Sequence, residues 1–154
     1  MQPGMMKKYK IAFDAWGLLL FLLIMAPNLI WFAVPAPNDI LRGVSATELL
    51  DTIASVCQVL LVAALCVIVN RERPALRLTP VIWGCVGSGV LYYAGWILYY
   101  LGFTNPPVIL LLTVPPCLAF LLFAIDRKNV VAAVPAVIFT ICHLMYGIVN
   151  FIIC

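Results

Sequence analysis

The sequence predicts an all-α polytopic membrane protein: five transmembrane helices, N-terminus in the cytoplasm, C-terminus outside. Three observations predict it. First, 66% of the 154 residues are hydrophobic and only 10% are charged, where a soluble domain carries about 25% charged residues. Second, the apolar runs are continuous over roughly 20 residues, the length that crosses a hydrocarbon core of about 30 Å as a helix. Barrel strands would instead alternate apolar and polar positions. Third, a five-span reading puts Lys7, Lys8, Lys10, Arg71, Arg73, Arg77, Arg127 and Lys128 on one side and leaves only Arg42 on the other. Basic residues gather on the cytoplasmic side of membrane proteins, so the split predicts both span count and orientation.

The first span is expected over about 11–34, ended by Pro35 and Pro37. Lys7, Lys8 and Lys10 ahead of an apolar run also suit a signal peptide, and Val34 and Ala36 have cleavage-site spacing. The run exceeds the roughly 7–15 residues of a signal h-region, and Pro37 would follow the cut, so a retained span is expected. The second span is expected over about 46–69. Ser45 and Glu48 form an S-x-x-E pattern that predicts a capping box at its start. The third covers about 80–101, with Thr79 as cap, Pro80 at the first helical position and Gly102 as stop. The fourth covers about 106–125 behind Asn105, and the fifth about 130–154 behind Asn129. Short connections predict a single domain whose successive helices are antiparallel neighbours.

Composition also excludes function classes. The net charge of +3 is explained by topology, so no nucleic acid is expected, and the primary partner is the lipid bilayer. The sequence holds no G-x-S-x-G, H-E-x-x-H or Walker pattern. One histidine rules out a multi-histidine metal site. Cys57, Cys66, Cys85, Cys117, Cys142 and Cys154 form no C-x-x-C pair and read as small apolar packing residues. No catalytic residue, cofactor or metal is expected, and the protein is expected not to be an enzyme.

Polar groups converge on the outer half, where Asn28, Asp51, Gln58, Tyr92, His143 and Asn150 are the candidate ligand-binding residues. Asp51, Ser55 and Gln58 share a helix face by their spacing of four and three. His143 is the deepest ionisable group, and an intramembrane ionisable residue is a functional hypothesis by default. Each has a plainer reading beside it. Thr140, His143, Gly147 and Asn150 form a stripe suited to interhelical packing. Asp51 stands where a carboxylate favours a helix N-terminus. Tyr92, Tyr93, Tyr99 and Tyr100 suit packing or an interfacial belt, and line a ligand only in the sharper reading. The inner half is expected to hold almost no comparable groups. Pro27, Pro115, Pro116 and Pro135 should kink their helices or act as hinges. Gly84, Ser88 and Gly95 mark a packing seam, within the chain or between subunits.

The stretches Pro27-Asn28-Leu29-Ile30-Trp31-Phe32, Pro37-Asn38-Asp39, Asp51-Thr52-Ile53-Ala54-Ser55 and Ala124-Ile125-Asp126-Arg127-Lys128-Asn129, with the last helix around His143 and Asn150, carry a resemblance. The whole chain resembles a group of small, uncharacterised multi-span proteins of Gram-positive bacteria. That resemblance implies a bacterial plasma membrane and lends no mechanism. The tryptophan-rich sensory family shares the span count and length, but the tryptophan and proline motif expected in its first loop is absent here. The leading expectation is non-enzymatic binding of a small or lipidic ligand, or of a membrane protein partner, through the outer half. The alternatives are a small transporter or channel working as a homo-oligomer, and an intramembrane enzyme using His143 and Asp51.

Overall fold

Five helices long and apolar enough to cross a membrane are present in the computed structural model, which describes residues 8–153. Lys7 and Cys154 lie outside the described residues. The helices are α1 (Ala15–Ala33), α2 (Glu48–Val67), α3 (Pro80–Tyr100), α4 (Pro106–Asp126) and α5 (Val130–Ile148), the last running on as a π-helical turn over Val149–Ile153. A single 3₁₀ turn, Ile40–Arg42, lies between α1 and α2.

Three predicted caps form. Thr79 Oγ1 accepts from the Ile82 N–H, Asn105 Oδ1 from Val108 and Asn129 Oδ1 from Ala132. Each satisfies a donor that a helix start leaves unpaired. Gly102 ends α3 at φ +93°, a conformation that costs glycine nothing.

Two boundaries differ from expectation. Residues Tyr9–Ile11 (β1) and Ile68–Asn70 (β2) are not helical; they pair as antiparallel strands, Lys10 opposite Val69. The first span therefore starts at Ala15, capped by Asp14, and the second ends at Val67. The strand pair satisfies backbone groups of both segments at once, which neither helix end would do alone. The capping box at Ser45 and Glu48 does not form either. Thr47 is the cap residue of α2 and makes no side-chain cap bond, while Ser45 Oγ accepts from the Thr47 N–H at 3.0 Å.

Helix order in space departs from order in sequence. The tightest pairs are α3 with α4, α2 with α5, and α4 with α5. Consecutive α2 and α3 make no more than marginal contact. The ring therefore runs α1, α2, α5, α4, α3, and α1 closes it loosely. Helix α4 is the most enclosed and α1 the least. The seam of Gly84, Ser88 and Gly95 lies within the chain. A Cβ at Gly84 would meet Leu122, and one at Gly95 would stand 2.8 Å from the Cβ of Leu111, both on α4. Small residues here let two helix backbones approach closely.

The prolines do not break their helices: α1, α4 and α5 continue through Pro27, Pro115-Pro116 and Pro135. Pro27 has no N–H to bond the carbonyl of Leu23, and the Tyr93 phenol donates to that carbonyl at 2.7 Å. Tyr100 donates to the Val34 carbonyl at 2.6 Å, and Tyr92 accepts from the Asn28 amide at 2.6 Å. The α3 tyrosines thus fasten the loosely packed α1 to the ring.

The end of the bundle that carries most of the basic residues holds a polar network at the helix ends and in the loops. At the end bearing Lys8, Arg73 and Arg127, buried Asp14 pairs with Arg73 and lies 3.6 Å from Arg127 Nε. Arg127 also donates to the Pro74 carbonyl, and Thr79 to Asp126. Asn129 donates to the Ala64 and Ile68 carbonyls, and Asn70 to that of Lys128. These residues come from separate stretches of chain, so no local spacing announces them.

Candidate functional site

The ring forms a half-open cavity of about 530 Å³ that draws its walls from all five helices. That size lies within the roughly 300–1,000 Å³ range of small-molecule sites. Its lining comes from the second half of α1, the first half of α2 and the second half of α5, so it lies toward the Arg42 end. At the opposite end α1 and α2 press together, for a Cβ at Gly17 would stand 2.6 Å from the Leu65 carbonyl oxygen.

Five of the six sequence-predicted residues line this cavity: Asn28, Asp51, Gln58, Tyr92 and His143. Ser55 joins them. The sixth, Asn150, is set apart. Its side chain accepts from the Ala46 N–H at 2.7 Å and donates to Thr47 Oγ1 at 2.8 Å, tying the end of the chain to the start of α2.

The hydrogen-bond state of each polar group decides what the cavity can offer. The Asn28 amide nitrogen is used, donating to Tyr92 and to the Ile24 carbonyl. Its carbonyl oxygen is left as an acceptor. The Gln58 amide nitrogen makes one weak contact, to the Met25 sulfur at 3.7 Å. His143 stacks on Phe139 with ring centroids 5.0 Å apart and faces Tyr146 at 6.2 Å. Among the described residues neither His143 nor the Asp51 carboxylate has a hydrogen-bond or ion-pair partner, and the two do not pair with each other.

The apolar walls were the less legible part. Phe139, Tyr146 and Gly147 line the cavity beside His143. Their offsets of four and three put them on the His143 face, a signal open to a sequence reader once that face is chosen. Ile109, Leu112, Pro116 and Phe120 of α4 also line it, and nothing separates them from ordinary core residues in sequence.

Just beyond the cavity, Asp39 organises the surface at the Arg42 end. It accepts from Trp31 Nε1 at 2.8 Å, Tyr99 Oη at 2.9 Å and Arg42 Nε at 2.7 Å. Burial pushes its carboxyl upward, but the bonds from Trp31, Arg42, Tyr99 and the Ala36 backbone outweigh it and hold the group below its ordinary value. Arg42 also lies over the Trp31 ring, 4.7 Å from its centroid.

No three histidine, cysteine or acidic side chains gather as a metal site among the described residues. Cys57, Cys66, Cys85, Cys117 and Cys142 are free and buried. Comparison with protein-family models, curated proteins and solved structures finds no match.

Proposed function

We propose that this multi-pass membrane protein binds a small or lipidic ligand, without transforming it, in the half-open cavity among its five helices. One observation carries the reading: a cavity of about 530 Å³ with mainly apolar walls brings together Asn28, Asp51, Gln58 and His143, two of which have no protein partner among the described residues. A mostly apolar pocket with a few convergent polar groups is the usual form of a ligand site. The basic end faces the cytoplasm in this reading, since Arg42 alone stands at the other end. The cavity then lies in the extracytoplasmic half, and the resemblance to Gram-positive proteins favours a bacterial plasma membrane. The transporter reading has less support, because the Gly84, Ser88 and Gly95 seam packs against α4 of the same chain.

Native mass spectrometry in a mild detergent tests the proposal. The wild type is expected to retain a small-molecule or lipid adduct. Ser55→Trp, which places an indole in the cavity, and His143→Ala are expected to lose it while keeping the wild-type unfolding midpoint. A bare wild-type monomer would count against the proposal, and a defined oligomer of bare subunits would favour the transporter or channel.

A further inference from the structure

Charge decides which ligand the cavity suits. Four of the six acidic residues stand near the helix ends or in loops, away from the cavity: Asp14 pairs with Arg73 and Arg127, Asp39 with Arg42, Asp126 accepts from Thr79 through one oxygen, and Glu72 lies in a loop. Glu48 is exposed on the first turn of α2. Asp51 alone faces the cavity. Among the described residues the sole basic side chain at its end of the bundle is Arg42, and Asp39 occupies it at 2.7 Å. Among the described residues no lysine or arginine lines the cavity. Among the described residues the one basic group on the lining is the His143 imidazole, which makes no ion pair with Asp51, so a carboxylate turned toward this mainly apolar space is left for a ligand cation to meet.

The Asn28 side chain points the same way, while the Gln58 amide and the Ser55 hydroxyl can serve a ligand as donors. The amide donors of Asn28 are already used, which leaves its oxygen as an acceptor beside the two oxygens of Asp51. The buried indole N–H of Trp96 has no acceptor among the described residues. Around these acceptors stand the rings of Trp31, Phe32, Tyr146 and Phe151. Aromatic faces attract cations, and more strongly where water is excluded.

We infer that the cavity's ligand is a lipophilic ammonium ion, an amine with apolar substituents and no anionic group, with Asp51 as its counter-ion. The inference rests on the cavity reading proposed above and adds the chemical class of the ligand. It disfavours fatty acids and phosphate-bearing lipids, whose anionic groups would meet the Asp51 carboxylate and, among the described residues, no lysine or arginine.

The test uses the full chain in phosphatidylcholine nanodiscs and three probes of equal chain length: decylamine, decanol and decanoate. Binding is read from tryptophan fluorescence in a Trp16→Phe, Trp83→Phe background, which leaves Trp31 and Trp96 as reporters, as the difference from empty discs. Decylamine is expected to bind at least tenfold more tightly than decanol, and decanoate not to bind. Asp51→Asn, nearly the same shape without the charge, is expected to erase the preference for the amine while leaving decanol affinity unchanged. Asp51→Glu is expected to keep the preference. Equal affinity for all three probes would overturn the inference and leave the cavity reading standing. An equal loss of amine and alcohol in Asp51→Asn would also overturn it, since that marks a structural role. Failure of all three to bind would overturn both readings.

Discussion

The Tyr93 phenol donates to the carbonyl of Leu23, the one carbonyl on α1 that Pro27, four residues later, cannot bond. A gap made by one helix is thus filled by a side chain of another, as a membrane interior requires. The pair makes a double-mutant prediction. Tyr93→Phe should destabilise the protein by about 1–2 kcal/mol, the cost of leaving a backbone acceptor unsatisfied on a lipid-facing surface. In a Pro27→Ala background the new N–H bonds Leu23, and the same substitution should cost clearly less. Equal costs in both backgrounds, measured by chemical unfolding in detergent, would refute the compensation.

The close approach of α3 to α4 separates two glycines on one helix. Gly95→Ala would place its Cβ 2.8 Å from that of Leu111, with the Leu111 backbone close behind. Overpacking of this kind costs about 1–3 kcal/mol. A Cβ at Gly87 would meet nothing within 4 Å, so Gly87→Ala should be neutral or stabilise by up to about 1 kcal/mol through helix propensity. Thermal unfolding of the two variants side by side checks the contrast.

Asp14 and Arg127 are both 95% or more buried at the basic end. Removing one partner of a buried pair strands the other and costs about 3–5 kcal/mol. Asp14→Ala should therefore be among the most damaging substitutions outside the apolar core. Combining it with Arg127→Met should recover part of the loss, which a double-mutant cycle of unfolding free energies would read.

Asp39 sets an acid limit at the Arg42 end. Its folded-state value lies below its ordinary one because Trp31, Arg42, Tyr99 and the Ala36 backbone bond the ionised form. Its contribution to stability is therefore complete above the unfolded value of about 3.9 and is lost as the pH falls through the lower folded value. Asp39→Asn should lower stability at neutral pH and flatten the decline on the acid side of about pH 4. Unfolding midpoints across the acid-to-neutral range test both points.

Orientation has its own test. With the described cysteines buried and Cys154 replaced by serine, Gly43→Cys and Arg77→Cys give single exposed thiols at opposite ends. An impermeant maleimide applied to intact cells should label Gly43→Cys and spare Arg77→Cys. The reverse pattern would invert the topology.

Much of the architecture is local and was therefore legible in sequence. Hydropathy over roughly 20 residues defines a span, and Thr79, Asn105 and Asn129 cap helices through bonds to residues three positions away. Asn28, Asp51, Gln58, Tyr92 and His143 stood out because polar groups are costly in lipid. What the tertiary structure alone decided are relations between distant stretches. It set α2 against α5 and not against α3, paired β1 with β2, and gathered Asp14, Arg73 and Arg127. It drew Asn150 away to the start of α2, while leaving Asp51 and His143 without partners in a cavity among the described residues. In lipid the apolar faces of helices are nearly interchangeable, so hydropathy does not select neighbours. Close glycine contacts and a few long-range hydrogen bonds do, and their partners lie tens of residues apart in the chain.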